Sequence, residues 1–243
     1  MKFVSEVYWD KGERGVNQDS VSLQQVSIRG KRAVFALVCD GIGGLQQGEE
    51  ASGFVAERMT EWFYTEAVGM LRKKKSRKKI GRAGLRALYG CNGELEAYGK
   101  RRGIKTGTAM TMLLISKERY LVWHSGDTRL YRVDSGRGRQ IKIKQLTKDH
   151  TADNHTLIRC IGSFPWKEPD VSGGRLKRNC VLLLCTDGFR NRVPEEKIGE
   201  VLQPAFLISQ EQMGKRLREL AGYGKRNGET DNISAIAMKS SGK

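Results

Sequence analysis

The chain repeatedly pairs two strand-like runs across a connection too short to hold a helix. Residues 21–28 (VSLQQVSI) and 33–39 (AVFALVC) flank the turn Arg29-Gly30-Lys31. Residues 108–116 (TAMTMLLIS) and 120–124 (YLVWH) flank another short connection, and the run 130–133 follows directly after Gly126-Asp127. Parallel neighbours need a crossover of a dozen or so residues, so these runs are expected to pair antiparallel. Residues 181–185 (VLLLC) read as a wholly apolar strand and 233–238 (ISAIAM) as the last one. Helical spacing appears at 49–64, where Phe54, Val55, Met59, Trp62 and Phe63 share a face. It appears again at 194–202, with proline in the first turn, and at 211–221. A further helix is expected within 79–98, where glycines weaken the pattern. Strands and helices that do not alternate one by one point to an α+β fold.

Bulk properties narrow the function classes. No window approaches the roughly 18 apolar residues of a membrane span, and the N-terminus turns polar too early for a signal peptide. The five cysteines are odd in number and several sit inside apolar runs. They read as buried thiols in a reducing compartment, so a cytoplasmic location is expected. There is no CxxC, and His124, His150 and His155 lack zinc spacing. The net charge is +17, and about half of that excess lies in residues 71–86, which hold nine Lys and Arg. Such a segment is either a solvated face or a recruiter of acidic or phosphorylated partners. No aromatic residue interleaves it and no reader motif accompanies it, so nucleic acid is not the expected partner.

Aspartates recur where the strands end. Asp40 closes VFALVCD, Asp127 follows YLVWHSG, and Asp187 follows VLLLCT, while Asp19 and Asp231 precede strands in NQDSVSL and ETDNIS. Any one of them alone is best read as a turn or cap residue. Five together are costly beside an apolar core, and a cluster of carboxylates repels itself unless a divalent cation compensates it. An all-oxygen donor set favours magnesium or manganese. The glycines from Gly41 to Gly44 do not complete a nucleotide-binding pattern, and no GxSxG is present. They fit a tight strand-to-helix turn beside a metal.

Eight segments, in order, carry a resemblance: RGVNQDS, VCDGIGGLQQGEEAS, TGTAMTMLLI, HSGDTRLYRV, QLTKDHT, LIRCIGS, LLLCTDGF and ETDNISAIAM. Together they resemble the PPM/PP2C family of metal-dependent protein serine/threonine phosphatases, bacterial members above all. The resemblance implies one domain over 1–243. Its fold would be a four-layer αββα sandwich of two antiparallel β-sheets flanked by helices, with a metal site between the sheets. It implies two Mn2+ or Mg2+ ions, and a third, weaker one in bacterial relatives. Asp40 would bridge the two metals and the Gly41 carbonyl would bind one of them. Asp187 and Asp231 would bind the other, and Asp19 would act through water. Asp127, with Asp187, would hold the third. Arg14 would grip the substrate phosphate, and Asn232 would stand behind the ligands. A metal-bridging hydroxide would attack phosphorus with Arg14 neutralising the phosphoryl oxygens.

Ile42 stands where many eukaryotic relatives have a histidine proposed as general acid, so no acid is assigned. His150 reads as structural. The flap region around 150–175 is shorter than in relatives, which implies a more open cleft. The implied partners are phosphorylated proteins, the products of a Ser/Thr kinase. The alternative is a catalytically weak phospho-partner-binding module of the same fold.

Overall fold

The computed structural model describes residues 2–42, 47–135, 141–152, 156–163 and 165–241. Along the chain, β1 (Lys2–Asp10), β2 (Asp19–Ile28) and β3 (Lys31–Gly41) precede α1 (Gly48–Trp62). A π-helical turn (Phe63–Ala67) joins α1 to α2 (Val68–Arg72), and α3 (Arg77–Arg102) follows. Next come β4 (Thr108–Ser116), β5 (Arg119–Ser125), β6 (Arg129–Ser135) and β7 (Ile141–Gln145). The short β8 (Thr151–Ala152) and β9 (Thr156–Leu157) lead to β10 (Asp170–Arg175) and β11 (Cys180–Cys185). The chain ends through α4 (Asp187–Arg190), α5 (Glu195–Val201), α6 (Gln210–Arg226) and β12 (Ile233–Ser241).

These elements form two units that interleave in sequence. One comprises residues 18–128 and 149–175. Its antiparallel sheet has the order β10-β5-β4-β3-β2. Every residue from Ala33 to Cys39 is buried, which explains why β3 reads as a continuous apolar run rather than an alternating one. Phe35, Leu37 and Cys39 pack in one cluster with Val55, Met59 and Trp62 of α1 and with Phe63. α3 is longer than its sequence suggests, and its glycines explain why. A side chain on Gly84 would collide with the indole of Trp123, whose Nε1 donates to the Gly81 carbonyl at 3.0 Å. Gly84, one of the glycines that weaken the helical pattern, therefore makes room for the sheet's largest side chain.

The other unit comprises residues 1–17, 129–148 and 176–243. Its antiparallel sheet runs β1-β12-β11-β6-β7. Val181, Leu183 and Cys185 pack with Met213, Leu217 and Leu220 of α6 and with Ile198 and Val201 of α5. Pro194 caps α5 instead of lying in its first turn. All five cysteines are free, four of them buried. No described helix is long and apolar enough to cross a membrane. Gly43, Gly44 and His155 lie outside the described residues.

Candidate active site

In the unit built on residues 18–128 and 149–175, Asp19 is the first residue of β2 and pairs directly with Asp40 of β3. Asp19 is only 3% exposed. Like charges directly opposite in an antiparallel ladder are destabilising, so this pair is held by the strands rather than by its own attraction. The register that sets Asp19 opposite Asp40 continues along the pair, with Ser20 opposite Cys39 and Val21 opposite Val38. The Gly41 amide donates to the Gln18 carbonyl at 3.0 Å. A side chain on Gly41 would collide with the backbone carbonyl of Gly48. Only glycine at this position lets the end of β3 lie this close to Gly48 at the start of α1. The buried Thr108 hydroxyl donates to the Asp40 carbonyl at 2.8 Å, which fixes the strand end that presents the carboxylate.

Asp127 lies in the turn after β5, half-buried. Its neighbour Gly126 is clamped twice by His150. The His150 amide donates to the Gly126 carbonyl at 2.8 Å, and the Gly126 amide donates to His150 Nδ1 at 3.2 Å. Since Nδ1 accepts, the imidazole proton sits on Nε2, which faces Asp170 Oδ2 at 3.2 Å. Burial pushes the Asp170 carboxyl upward, but hydrogen bonds from His150 and Arg159 outweigh it and hold it below its usual range. This agrees with the structural reading of His150: it positions the Gly126-Asp127 turn.

In the unit built on residues 1–17, 129–148 and 176–243, Asp187 opens α4 directly after β11, and Asp231 lies just before β12. Arg14 Nε and Nη2 donate to the two oxygens of Asp231, each at 2.9 Å. This is the bidentate fork that guanidinium groups form with carboxylates and phosphates alike. The hydrogen bonds to Asp231 raise the Arg14 pKa, and the charge of Asp187 adds to that effect. Gly188, next to Asp187, lies against Asp231 with no room for a side chain. The structure thus brings Arg14, Asp187 and Asp231 together.

Asn232 is 5% exposed, and its Nδ2 donates to the carbonyls of Lys11 at 2.8 Å and Val16 at 3.1 Å. Those bonds staple the loop that carries Arg14 to the start of β12. Asn232→Ala leaves both carbonyls without this donor, which costs about 1–3 kcal/mol at a buried site. The melting temperature is expected to fall by several degrees, and Asn232→Asp, which lacks the donor, is expected not to restore it. An unchanged melting temperature in the alanine variant would remove the staple from the account.

Glu229 was not singled out in the sequence. Its Oε1 accepts the amides of Thr230 at 3.1 Å and Asp231 at 3.0 Å, so it fixes the approach to Asp231. The acid two positions before Asp231 in ETD was the available signal.

Among the described residues, no three His, Cys, Asp or Glu side chains converge as a finished metal cage. The chemistry of the donors nevertheless fits a hard divalent cation. They are oxygens throughout, and a cation between Asp19 and Asp40 would relieve the repulsion built into the ladder.

Three comparisons bear on this arrangement. The family profile for protein phosphatase 2C matches residues 12–221. The serine/threonine phosphatase stp of Listeria welshimeri is 25% identical over 227 residues, covering 84% of this chain and 84% of that protein. The serine/threonine protein phosphatase PstP of Mycobacterium tuberculosis is 26% identical over 252 residues, covering 94% of this chain but 44% of that protein. Among solved structures, the phosphatase Stp1 from Staphylococcus aureus has a TM-score of 0.82 at 20% identity, over 100% of this chain and 96% of that one. The catalytic domain of PstP in complex with two manganese ions has a TM-score of 0.77 at 23% identity, over 99% of this chain and 100% of that one.

Proposed function

The chain belongs to the protein phosphatase 2C family, and on that premise we propose that it is a metal-dependent phosphatase acting on phosphoserine and phosphothreonine in proteins. The observation that supports this reading most is the pair Asp19–Asp40, two carboxylates locked opposite each other at the end of a buried strand. The reading treats residues 1–243 as one phosphatase domain with a shortened flap at 150–175. Two divalent ions, Mn2+ or Mg2+, would be held by Asp40, the Gly41 carbonyl, Asp187 and Asp231, with Asp19 acting through water. Asp127 and Asp187 would hold a third. When bound, such cations supply Lewis acidity and acidify water to the hydroxide that serves as nucleophile.

The chain's own residues do the rest. Strand β3 holds Asp40 rigidly, so no reorganisation is needed as charge develops. Arg14 trades one bidentate acceptor, the Asp231 carboxylate, for another, the phosphoryl group. Asn232 keeps the Arg14 loop in place during that exchange. Ile42 offers no proton, so solvent protonates the leaving serine or threonine oxygen.

The test is phosphate release from a phosphothreonine peptide and from the matching phosphotyrosine peptide, with manganese. Release from the first in clear preference to the second supports the reading. No release from either, with phosphopeptide binding retained, would favour the binding module instead.

A further inference from the structure

The cationic segment is neither evenly spread nor neutralised. Of its nine Lys and Arg, only Arg86 is ion-paired among the described residues, to Glu66 at 3.6 Å. On α3 the exposed Lys78, Lys79, Arg82, Arg86 and Tyr89 follow helical spacing along one side, while Ile80, Ala83 and Leu88 are buried. This stripe ends at a groove. A cavity of about 340 Å³ is lined by Arg82, Leu85, Arg86, Tyr89, Trp166 and Glu168. Tyr89, 62% exposed, meets Trp166 edge to face with ring centroids 5.6 Å apart.

The far wall of the groove is fixed to α3. Asn92, buried on α3, accepts the Gly162 amide at 2.7 Å and donates to the Ser163 carbonyl at 3.0 Å. Trp166 itself packs against the core cluster of this unit. Tight anchoring of both walls lowers the ordering cost of binding.

We propose that this groove docks an acidic segment of the protein substrate, away from the phosphorylated residue itself. The inference rests on the phosphatase reading, and it names how that enzyme selects proteins. Charge complementarity supports it: two guanidinium groups at the groove match side-chain carboxylates or phosphates bidentately. Leu85 and the Tyr89–Trp166 pair suit one apolar or aromatic side chain beside those acids. Nucleic acid fits less well. A polynucleotide needs successive stacking platforms, whereas this groove has one edge-to-face pair.

The test uses a phosphothreonine peptide carrying a glutamate-rich tail with one phenylalanine, and the same peptide with a serine tail. Binding is read by fluorescence anisotropy, and turnover by KM with p-nitrophenyl phosphate as the small-substrate control. The wild-type protein is expected to bind the acidic-tailed peptide about tenfold more tightly at low ionic strength, and to lose the difference at high salt. Arg82→Ser with Arg86→Ser, or Tyr89→Ala, removes the tail's advantage in binding and KM and leaves p-nitrophenyl phosphate turnover unchanged. A tail advantage that persists in these variants, or none in the wild type, overturns the proposal. So does tighter binding of a DNA or RNA oligonucleotide with the same Arg82 and Arg86 dependence. If the wild type hydrolyses none of the substrates, the phosphatase reading fails, and anisotropy alone still decides whether the groove docks acids.

Discussion

Asp40→Asn is expected to lower metal-dependent turnover by at least about 10³-fold, the upper end for loss of one preorganised electrostatic group. The substitution keeps the size and shape of the side chain, so β3 and its buried apolar run are undisturbed. It removes one of two charges that the ladder sets opposite each other. The same geometry makes a second, independent prediction. Any ligand that binds only the folded protein stabilises it in proportion to the logarithm of its concentration over Kd. Manganese is therefore expected to raise the melting temperature of the wild type and to leave that of Asp40→Asn nearly unchanged. Without metal, the variant is expected to melt at or above the wild-type temperature, because a like-charge pair has been relieved. A variant that keeps both manganese stabilisation and turnover would show that Asp40 does not hold the metal.

Arg14→Ala is expected to lower kcat/KM on phosphopeptides by about 10²-fold, as loss of one charge-assisted donor to the phosphoryl group typically does. Arg14→Lys keeps the charge but not the fork, and falls between the two. The distinguishing readout is metal affinity. In the structure the guanidinium occupies both oxygens of Asp231, so removing it frees that carboxylate. Calorimetry with manganese is expected to show affinity in Arg14→Ala at least equal to that of the wild type. A matched loss of metal affinity and activity would mean that Arg14 builds the metal site instead of meeting the substrate.

Much of this was legible in the residues, and the reason differs from element to element. The pairs β2–β3 and β4–β5 were readable from their short connections, but β6, expected by the same rule to pair with β5, pairs instead with β11 and β7 in the other sheet. α6 was readable because Met213, Leu217, Leu220 and Ala221 keep helical spacing. β1 was missed: none of its described side chains is fully buried and it lies at the sheet edge, so its apolar signal is weak. β7 and β10 are also edge strands, and the two glycines of β10 pair with Leu121 and Tyr120, leaving a sequence that reads as a loop. The helix expected within 79–98 is α3, which extends beyond those bounds at both ends, and Gly84, which would weaken it in isolation, here admits Trp123.

The candidate site divides similarly. The aspartates announce themselves by standing at strand boundaries, Asp40, Asp127 and Asp187 at or after the close of one and Asp19 and Asp231 at or before the start of one. Their supports, Glu229 beneath Asp231 and the two carbonyls held by Asn232, come from loops whose partners are set only in three dimensions. The groove at Tyr89 and Trp166 shows this most clearly. The basic run contains no aromatic residue, yet the fold brings Trp166 from the other end of the unit to its edge.

The most direct test of the central claim is hydrolysis of p-nitrophenyl phosphate with manganese, repeated with EDTA and with Asp187→Ala. Turnover that requires manganese and is abolished by both treatments is the predicted result. Turnover that survives EDTA and the loss of Asp187 would contradict it, because the carboxylates would then have no part in the chemistry.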